Sequence, residues 1–160
     1  MEHLMAIILA AGEGKRMKSK KTKILHEIYG KPMVQWVYQS VKDTGIDEIV
    51  LVIGRNSEEV KECMGNKVSY AKQEEQLGTG HAVIQAQEYL ENKDGQVLIM
   101  YGDMPLVTSN TILRAVDYHK EKGNAVTIIT ADFDNPLGYG RIIRNNQNDV
   151  LEIVEDRDAS

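Results

Sequence analysis

Apolar runs with few polar positions recur along the first hundred residues, at 4–9, 48–53 and 96–101. Such runs are typical of strands buried on both faces, as in parallel sheets. A shorter, weaker strand is predicted at 68–71. Between Met33 and Val41 the apolar residues instead recur at near-helical spacing. Alternation of strands and amphipathic helices predicts an α/β fold with a mainly parallel sheet and helices on both faces.

Turn and capping residues mark the limits of the helices. Pro32 is predicted in the first turn of a helix that ends before Gly45, because its missing N–H costs nothing at that position. Thr108 or Ser109 is predicted to cap a helix that Gly123 terminates. Further helices are expected at 57–64 and 79–90.

The last forty residues are rich in β-formers. Val, Ile and Thr predict a strand at 124–133. Two more strands, 141–144 and 150–154, are predicted as a hairpin joined by the polar turn 145–148. We interpret residues 1–160 as a single domain.

Composition excludes several classes of protein. A hydrophobic content of 42% and a charged content of 27% are ordinary for a globular chain. The net charge of −5 argues against general nucleic-acid binding. There is no run of eighteen apolar residues and no secretory pattern, and the single Cys63 cannot form an internal disulfide. We therefore expect a cytoplasmic protein without a membrane span.

Positive charge is concentrated in one segment of this acidic chain. Six of the nine residues from 15 to 23 are basic: Lys15, Arg16, Lys18, Lys20, Lys21 and Lys23. Such a segment focuses the electric field on a small anionic ligand. Taken alone, the segment is better interpreted as a solvated run of charge.

The loop after the first strand consists largely of small residues. Ala10, Ala11, Gly12 and Gly14 allow backbone N–H groups to approach phosphate oxygens. The loop lacks the Walker spacing, and Met17 occupies the third glycine position of a dinucleotide fingerprint. A nucleoside triphosphate gripped by Arg16 and Lys23 is one interpretation, and a plain glycine turn beside solvated lysines is the other.

Asp103 lies at the end of the strand predicted at 96–101. In an open α/β sheet, ligands bind beyond the carboxyl ends of the strands, and a carboxylate there suits Mg²⁺. Asp103 alternatively caps the turn before Pro105. The phosphate loop predicted at the same edge favours the metal interpretation.

Two further segments are punctuated by glycine. In 73–82, a glutamine side chain offers a paired donor and acceptor suited to a base edge, although Thr79 would also serve as an ordinary helix cap. The loop 136–141 is either a binding loop or a tight turn into the hairpin.

Five segments together resemble one family, the bacterial UDP-N-acetylglucosamine pyrophosphorylase domain of the bifunctional N-acetylglucosamine-1-phosphate uridyltransferase/glucosamine-1-phosphate acetyltransferase. They are residues 9–17, 76–82, 101–106, 136–142 and 153–159. The first is shared by many sugar-nucleotide pyrophosphorylases, whereas the other four are narrower. The resemblance implies a Rossmann-like nucleotidyltransferase fold.

The resemblance also implies roles for individual residues. Leu9, Ala10, Ala11 and Gly12 would line the uridine and phosphates, with Arg16 and Lys23 neutralising the triphosphate. Gln73, Gly78 and Thr79 would recognise uracil, and Tyr101 and Gly102 the nucleotide sugar. Asp103 would ligate Mg²⁺, which makes Arg16, Lys23 and Asp103 the catalytic set. Gly140 and Glu155 would bind the N-acetylglucosamine moiety.

The implied reaction joins UTP to N-acetylglucosamine 1-phosphate, releasing pyrophosphate and giving UDP-N-acetylglucosamine for bacterial cell-wall precursors. In this family, further asparagine ligands and a left-handed β-helix lie downstream of the equivalent of Ser160. That β-helix transfers acetyl groups and forms a homotrimer. We therefore expect a truncated chain with an incomplete uridylyl site and no acetyl transfer.

Other functions stay open on the residues themselves. One is a nucleotidyltransferase with another base or acceptor, and another is a non-catalytic nucleotide-binding module. A dinucleotide oxidoreductase is disfavoured by Met17.

Overall fold

A computed structural model of the protein describes residues 3–12, 14, 17–19, 21–55 and 57–158. The chain forms two compact units, residues 1–123 and 124–160. The strands are β1 (His3–Ala10), β2 (Glu27–Ile28), β3 (Lys31–Pro32), β4 (Ile49–Ile53), β5 (Ser69–Lys72), β6 (Gly95–Tyr101), β7 (Arg141–Arg144) and β8 (Val150–Val154). The α-helices are α1 (Met33–Lys42), α2 (Glu58–Met64), α3 (Thr79–Ile84) and α4 (Ser109–Lys122).

The first unit is built on a parallel sheet with the strand order β5-β4-β1-β6. In the register, Leu9 of β1 lies beside Val52 of β4 on one side and Tyr101 of β6 on the other. Since all four strands run in the same direction, their carboxyl ends meet at one edge. The predicted mainly parallel sheet is confirmed.

Helices cover both faces of this sheet. On one face, Ile8 packs in a core cluster with Val37 of α1 and Ile112 of α4, and all three are fully buried. On the opposite face, Ile7 packs in a second cluster that includes Ala82 of α3. Each buried isoleucine or valine contributes about 1.5–3 kcal/mol by leaving water, so the central strand is held from both sides.

The start of α1 differs from the prediction. Pro32 has extended backbone angles (φ −54°, ψ 141°) and precedes the helix, which begins at Met33. Its backbone is engaged in β3, which pairs with β2. The indole Nε1 of Trp36 donates to the carbonyl of Ile28 at 2.9 Å and holds this hairpin on the helix.

The helix predicted at 79–90 is shorter in the structure. Its α-helical part ends at Ile84, and a 3₁₀ turn follows at Gln87–Tyr89. The turn brings Tyr89 back to the sheet, where its hydroxyl donates to the carbonyl of Tyr70 at 2.9 Å. Packing on the sheet therefore overrides the helical periodicity here.

The prediction for α4 is confirmed at both ends. The hydroxyl of Thr108 accepts a hydrogen bond from the backbone N–H of Thr111, and Gly123 ends the helix in the left-handed region (φ 61°). Within the described residues, no helix is both long and apolar enough to cross a membrane.

The second unit contains the antiparallel hairpin of β7 and β8, as predicted. The prediction of a strand at 124–133 is wrong, because these residues form neither a strand nor a helix. Its apolar side chains are exposed, with Val126 at 74% and Ile129 at 51%. A β-rich composition forms a strand only where a neighbour offers pairing and packing.

Candidate active site

A cleft of about 450 Å³ opens at the carboxyl edge of the parallel sheet. Ten predicted site residues line it: Leu9, Ala10, Ala11, Gly12, Lys23, Gln73, Gly78, Thr79, Tyr101 and Asp103. The segments predicted separately at the ends of β1 and β6 and before α3 thus meet in one place. This convergence follows from the parallel register, because strand ends at one edge bring their loops together.

Gly102 lies directly behind the first loop. Its backbone N–H donates to the carbonyl of Leu9 at 2.8 Å. A Cβ at this position would lie 3.1 Å from that same oxygen. The absence of a side chain therefore lets the β6 turn approach β1 and place Asp103 next to the loop.

Gly14 connects the first loop to Lys23. It has φ +62°, and a Cβ there would lie only 2.6 Å from Cβ of Lys23. Its carbonyl accepts a hydrogen bond from the N–H of Met17 at 2.9 Å. Both the backbone angle and the close approach require glycine. Arg16, the other predicted phosphate ligand, lies outside the described residues.

Lys23 and Asp103 form an ion pair inside the cleft. The ammonium Nζ lies 2.5 Å from Oδ2 of Asp103, and the two side chains are 34% and 32% exposed. Lys23 begins a 3₁₀ turn whose next two residues, Ile24 and Leu25, are buried and anchor it. Among the described residues that line it, the cleft thus holds one cation and one carboxylate, which neutralise each other and remain reachable by a ligand.

Gln73 also lines the cleft. It is only 4% exposed, and its backbone N–H donates to the carbonyl of Ile53 at 2.8 Å. Its side-chain Nε2 donates to the carbonyl of Gly78 at 3.1 Å. A buried carboxamide facing a cleft suits recognition of a hydrogen-bonding ligand.

The start of α3 excludes the interpretation of Thr79 as a helix cap. Gly78, with φ +103° and ψ −179°, occupies the N-cap position, and Thr79 is the first helical residue. Thr79 is therefore not the cap, and both residues line the cleft.

Sequence reasoning missed Gln76 and His81. Gln76 lines the cleft, and its Nε2 donates to the carbonyl of Ala11 at 2.7 Å, which ties the glycine-rich segment to the first loop. His81 contacts the carboxamide of Gln73. Both lie in the motif 76–82, so the sequence indicates the segment that contains them. It does not indicate which residues they contact.

The acidic neighbour of Gln73 is also held by charge. A hydrogen bond from Lys72 lowers the pKa of the Glu74 carboxyl below its usual range. The two groups lie 2.8 Å apart. Arg55 donates from Nε to the carbonyl of Glu74 at 2.6 Å. These contacts lie at the surface, on the residue that follows Gln73 in the chain.

The two predicted sugar-binding residues belong to the second unit. Gly140 precedes β7 and Glu155 follows β8, and the pairing of Arg141 with Val154 brings them to the same end of the hairpin. Arg141 ties this end together, because its guanidinium donates to the carbonyl of Pro136 at 2.9 Å and to Asp156 at 3.2 Å. Phe133 and Tyr139 stack their rings at 4.8 Å.

Comparison with known proteins gives a consistent picture. A family model described as the MobA-like NTP transferase domain matches residues 6–158. The bifunctional protein GlmU of Acetivibrio thermocellus is 64% identical over all 160 residues, and its counterpart in Caldanaerobacter subterraneus is 52% identical. In both cases the chain spans 35% of the relative's length.

A solved structure shares the fold. It is a putative glucose-1-phosphate thymidylyltransferase from Bacillus anthracis in complex with a sucrose. The TM-score is 0.78 at 19% identity, over 96% of this chain and 64% of that one. Together with the relatives, this match confirms the predicted resemblance and the Rossmann-like nucleotidyltransferase fold.

Proposed function

We propose that this chain, which belongs to the MobA-like NTP transferase domain family, provides the UTP site of a uridylyltransferase. The acceptor in this proposal is N-acetylglucosamine 1-phosphate, and the products are UDP-N-acetylglucosamine and pyrophosphate. The GlmU relatives support this choice among nucleotidyltransferases.

The proposal rests mainly on the ion pair of Lys23 and Asp103 in the cleft. A lysine and a carboxylate 2.5 Å apart, beside a loop of small residues, give binding partners for a polyphosphate and its cation at one place. When a triphosphate enters, the ammonium can turn to phosphate oxygens, which releases the carboxylate for a metal ion.

Asp103 fits a magnesium ion by the chemistry of its donor atoms. Mg²⁺ prefers oxygen ligands, keeps several waters and binds through one or two carboxylates together with substrate phosphates. Among the described residues no group of three or more potential ligands exists that could hold a metal by itself. Asp103 would hold such an ion together with phosphate oxygens of the nucleotide, and the ion would supply charge neutralisation there.

In the proposed reaction, an oxygen of the sugar phosphate attacks the α-phosphorus of UTP. A new P–O bond forms as the bond to the β-phosphate oxygen breaks, and pyrophosphate leaves. The chain's contribution is positioning and neutralisation of charge by Lys23, with Arg16 proposed in the same role.

The remaining roles in this proposal are those that the family resemblance implies. Gln73, Gly78 and Thr79 bind the base, Tyr101 and Gly102 the ribose, and Gly140 and Glu155 the acetylated sugar. Residues 1–160 form one part of a nucleotidyltransferase domain in a cytoplasmic, homotrimeric enzyme for cell-wall precursors.

Pyrophosphate release tests the proposal. The protein as the organism makes it is assayed with UTP, Mg²⁺ and N-acetylglucosamine 1-phosphate, and separately with CTP, GTP and dTTP. Turnover with UTP that depends on Mg²⁺ is expected. Equal rates with another base or acceptor would replace the substrate assignment, and UTP binding without pyrophosphate release would favour a non-catalytic module.

A further inference from the structure

The orientation of the Gln73 carboxamide is determined by its first partner. The side-chain nitrogen Nε2 lies 3.1 Å from the carbonyl oxygen of Gly78. A carbonyl oxygen only accepts hydrogen bonds, so the amide must present its NH₂ group and not its oxygen to Gly78. This assigns the two ends of a side chain whose nitrogen and oxygen have nearly the same shape.

His81 takes the second hydrogen of the same NH₂ group. Its ring nitrogen Nδ1 lies 3.1 Å from Nε2 of Gln73. Because an amide nitrogen only donates, Nδ1 must be the acceptor, and a neutral ring then carries its proton on Nε2. With both hydrogens engaged, Oε1 is the group that Gln73 offers to a ligand in the cleft.

Gln85 contacts the other side of the imidazole. Its Nε2 donates to the backbone carbonyl of His81 at 3.1 Å and lies 3.2 Å from the ring Nε2. A neutral ring can accept at only one nitrogen. Gln73 is 4% exposed whereas Gln85 is half-buried. A lost hydrogen bond costs more where water cannot replace it. The contact with the more buried Gln73 therefore determines the tautomer of His81, with Nδ1 as the acceptor and the proton on Nε2.

We propose that His81 is a positioning residue for base selectivity, which fixes Gln73 with Oε1 toward the nucleotide base. This inference rests on the proposed function. An acceptor at that point pairs with the N3–H of uracil and opposes the N3 lone pair of cytosine. The carbonyl of Gly78 and the imidazole of His81 thus act together to set the preference.

Substitution of His81 separates positioning from simple structural support. His81→Leu removes the acceptor, while His81→Asn keeps a carbonyl that can accept from Gln73. UTP and CTP carry the same triphosphate, so the ratio of their dissociation constants isolates the base. One neutral hydrogen bond is worth about 0.5–1.5 kcal/mol. The preference for UTP should therefore fall about 2- to 10-fold in His81→Leu and be largely restored in His81→Asn.

The experiment is calorimetric titration of this chain with Mg-UTP and Mg-CTP. His3→Leu is the matched control, because it removes an imidazole from the opposite end of β1, where His3 contacts Glu48. Its preference for UTP should equal that of the unsubstituted chain, and thermal melting verifies that each variant is folded.

The outcomes separate two failures. No preference for UTP in the unsubstituted chain contradicts the proposed uridine site and the inference with it. A preference retained in His81→Leu, an equal weakening of both nucleotides, or no recovery in His81→Asn overturns the role of His81 alone.

Discussion

The two units of the chain differ in what holds them together. The buried hydrophobic side chains of the described residues all lie at or before Ile112, within the first unit. In the second unit, large apolar side chains such as Leu137 (74% exposed) and Leu151 (63%) face solvent. A two-stranded hairpin without a covered face is marginal by itself. The first unit therefore supplies the core, and the second is organised by local hydrogen bonds.

The largest expected effect is a loss of stability from truncating the first unit's core. Leu51→Ala in β4 should lower the free energy of unfolding by about 2–5 kcal/mol, because Leu51 is fully buried. Leu151→Ala in β8 is the matched control and should change it by less than about 0.5 kcal/mol. Urea denaturation followed by circular dichroism measures both. Equal losses would show that the second unit also has a core.

Removal of the cleft's lysine tests whether nucleotide affinity resides in the first unit. Lys23→Met should weaken binding of Mg-UTP about 10- to 100-fold, since hydrogen bonds to charged groups are worth about 1.5–3 kcal/mol. Lys42→Met removes the lysine of another Lys–Asp pair, with Asp47, and should leave affinity unchanged. Calorimetry of both variants decides. Unaltered binding in Lys23→Met would contradict the phosphate-binding role.

Alanine at two glycines compares the loops of the two units. Gly14→Ala should lower UTP affinity about tenfold, because its Cβ would meet Lys23 at 2.6 Å. At Gly138 (φ +86°) a Cβ meets open space. Gly138→Ala should therefore cost only the left-handed backbone strain, about 1–2 kcal/mol, without a change in UTP affinity. Melting temperatures and calorimetry separate the two effects.

The smallest expected effect concerns the surface of the first unit. Lys72 lowers the pKa of Glu74, so the ionised pair contributes stability above the usual carboxyl pKa. That contribution is lost as the pH falls through the lowered value. Lys72→Met should return the pKa of Glu74 toward its ordinary range, which an NMR titration of the carboxyl measures. High salt should have a similar, weaker effect on the unsubstituted chain.

The sequence was most informative where a local signal and the packing agree. The apolar run of β1 predicted a strand correctly, because a strand buried on both faces needs apolar residues at successive positions. The end of α4 was predicted correctly, because glycine is favoured where a helix ends in the left-handed region, as at Gly123. The segments of the candidate site were also recognisable as motifs. The roles of all the candidate site residues stay predictions, whether they line the cleft, as Lys23 and Asp103 do, or not, as Gly140 and Glu155 do not.

Predictions from the sequence were wrong where an element depends on a partner that is distant in the chain or on packing. Residues 124–133 have the composition of a strand but are irregular, because composition does not report whether an edge is available for pairing. The helix expected to 90 ends at Ile84, since the chain turns to bring Tyr89 onto Tyr70. Pro32 is extended because β3 pairs with β2.

By itself the sequence determined the α/β class, the succession along the chain of the four sheet strands β1, β4, β5 and β6 with the α-helices that follow them, and the small-residue loop. Each of these depends on neighbours within a few positions. Only the tertiary structure decided that Lys23 meets Asp103 across eighty residues, and that Gln73 is held by Gly78 and His81. Such contacts depend on strand register and on the orientation of single side chains. Neither leaves a periodic signal in the sequence.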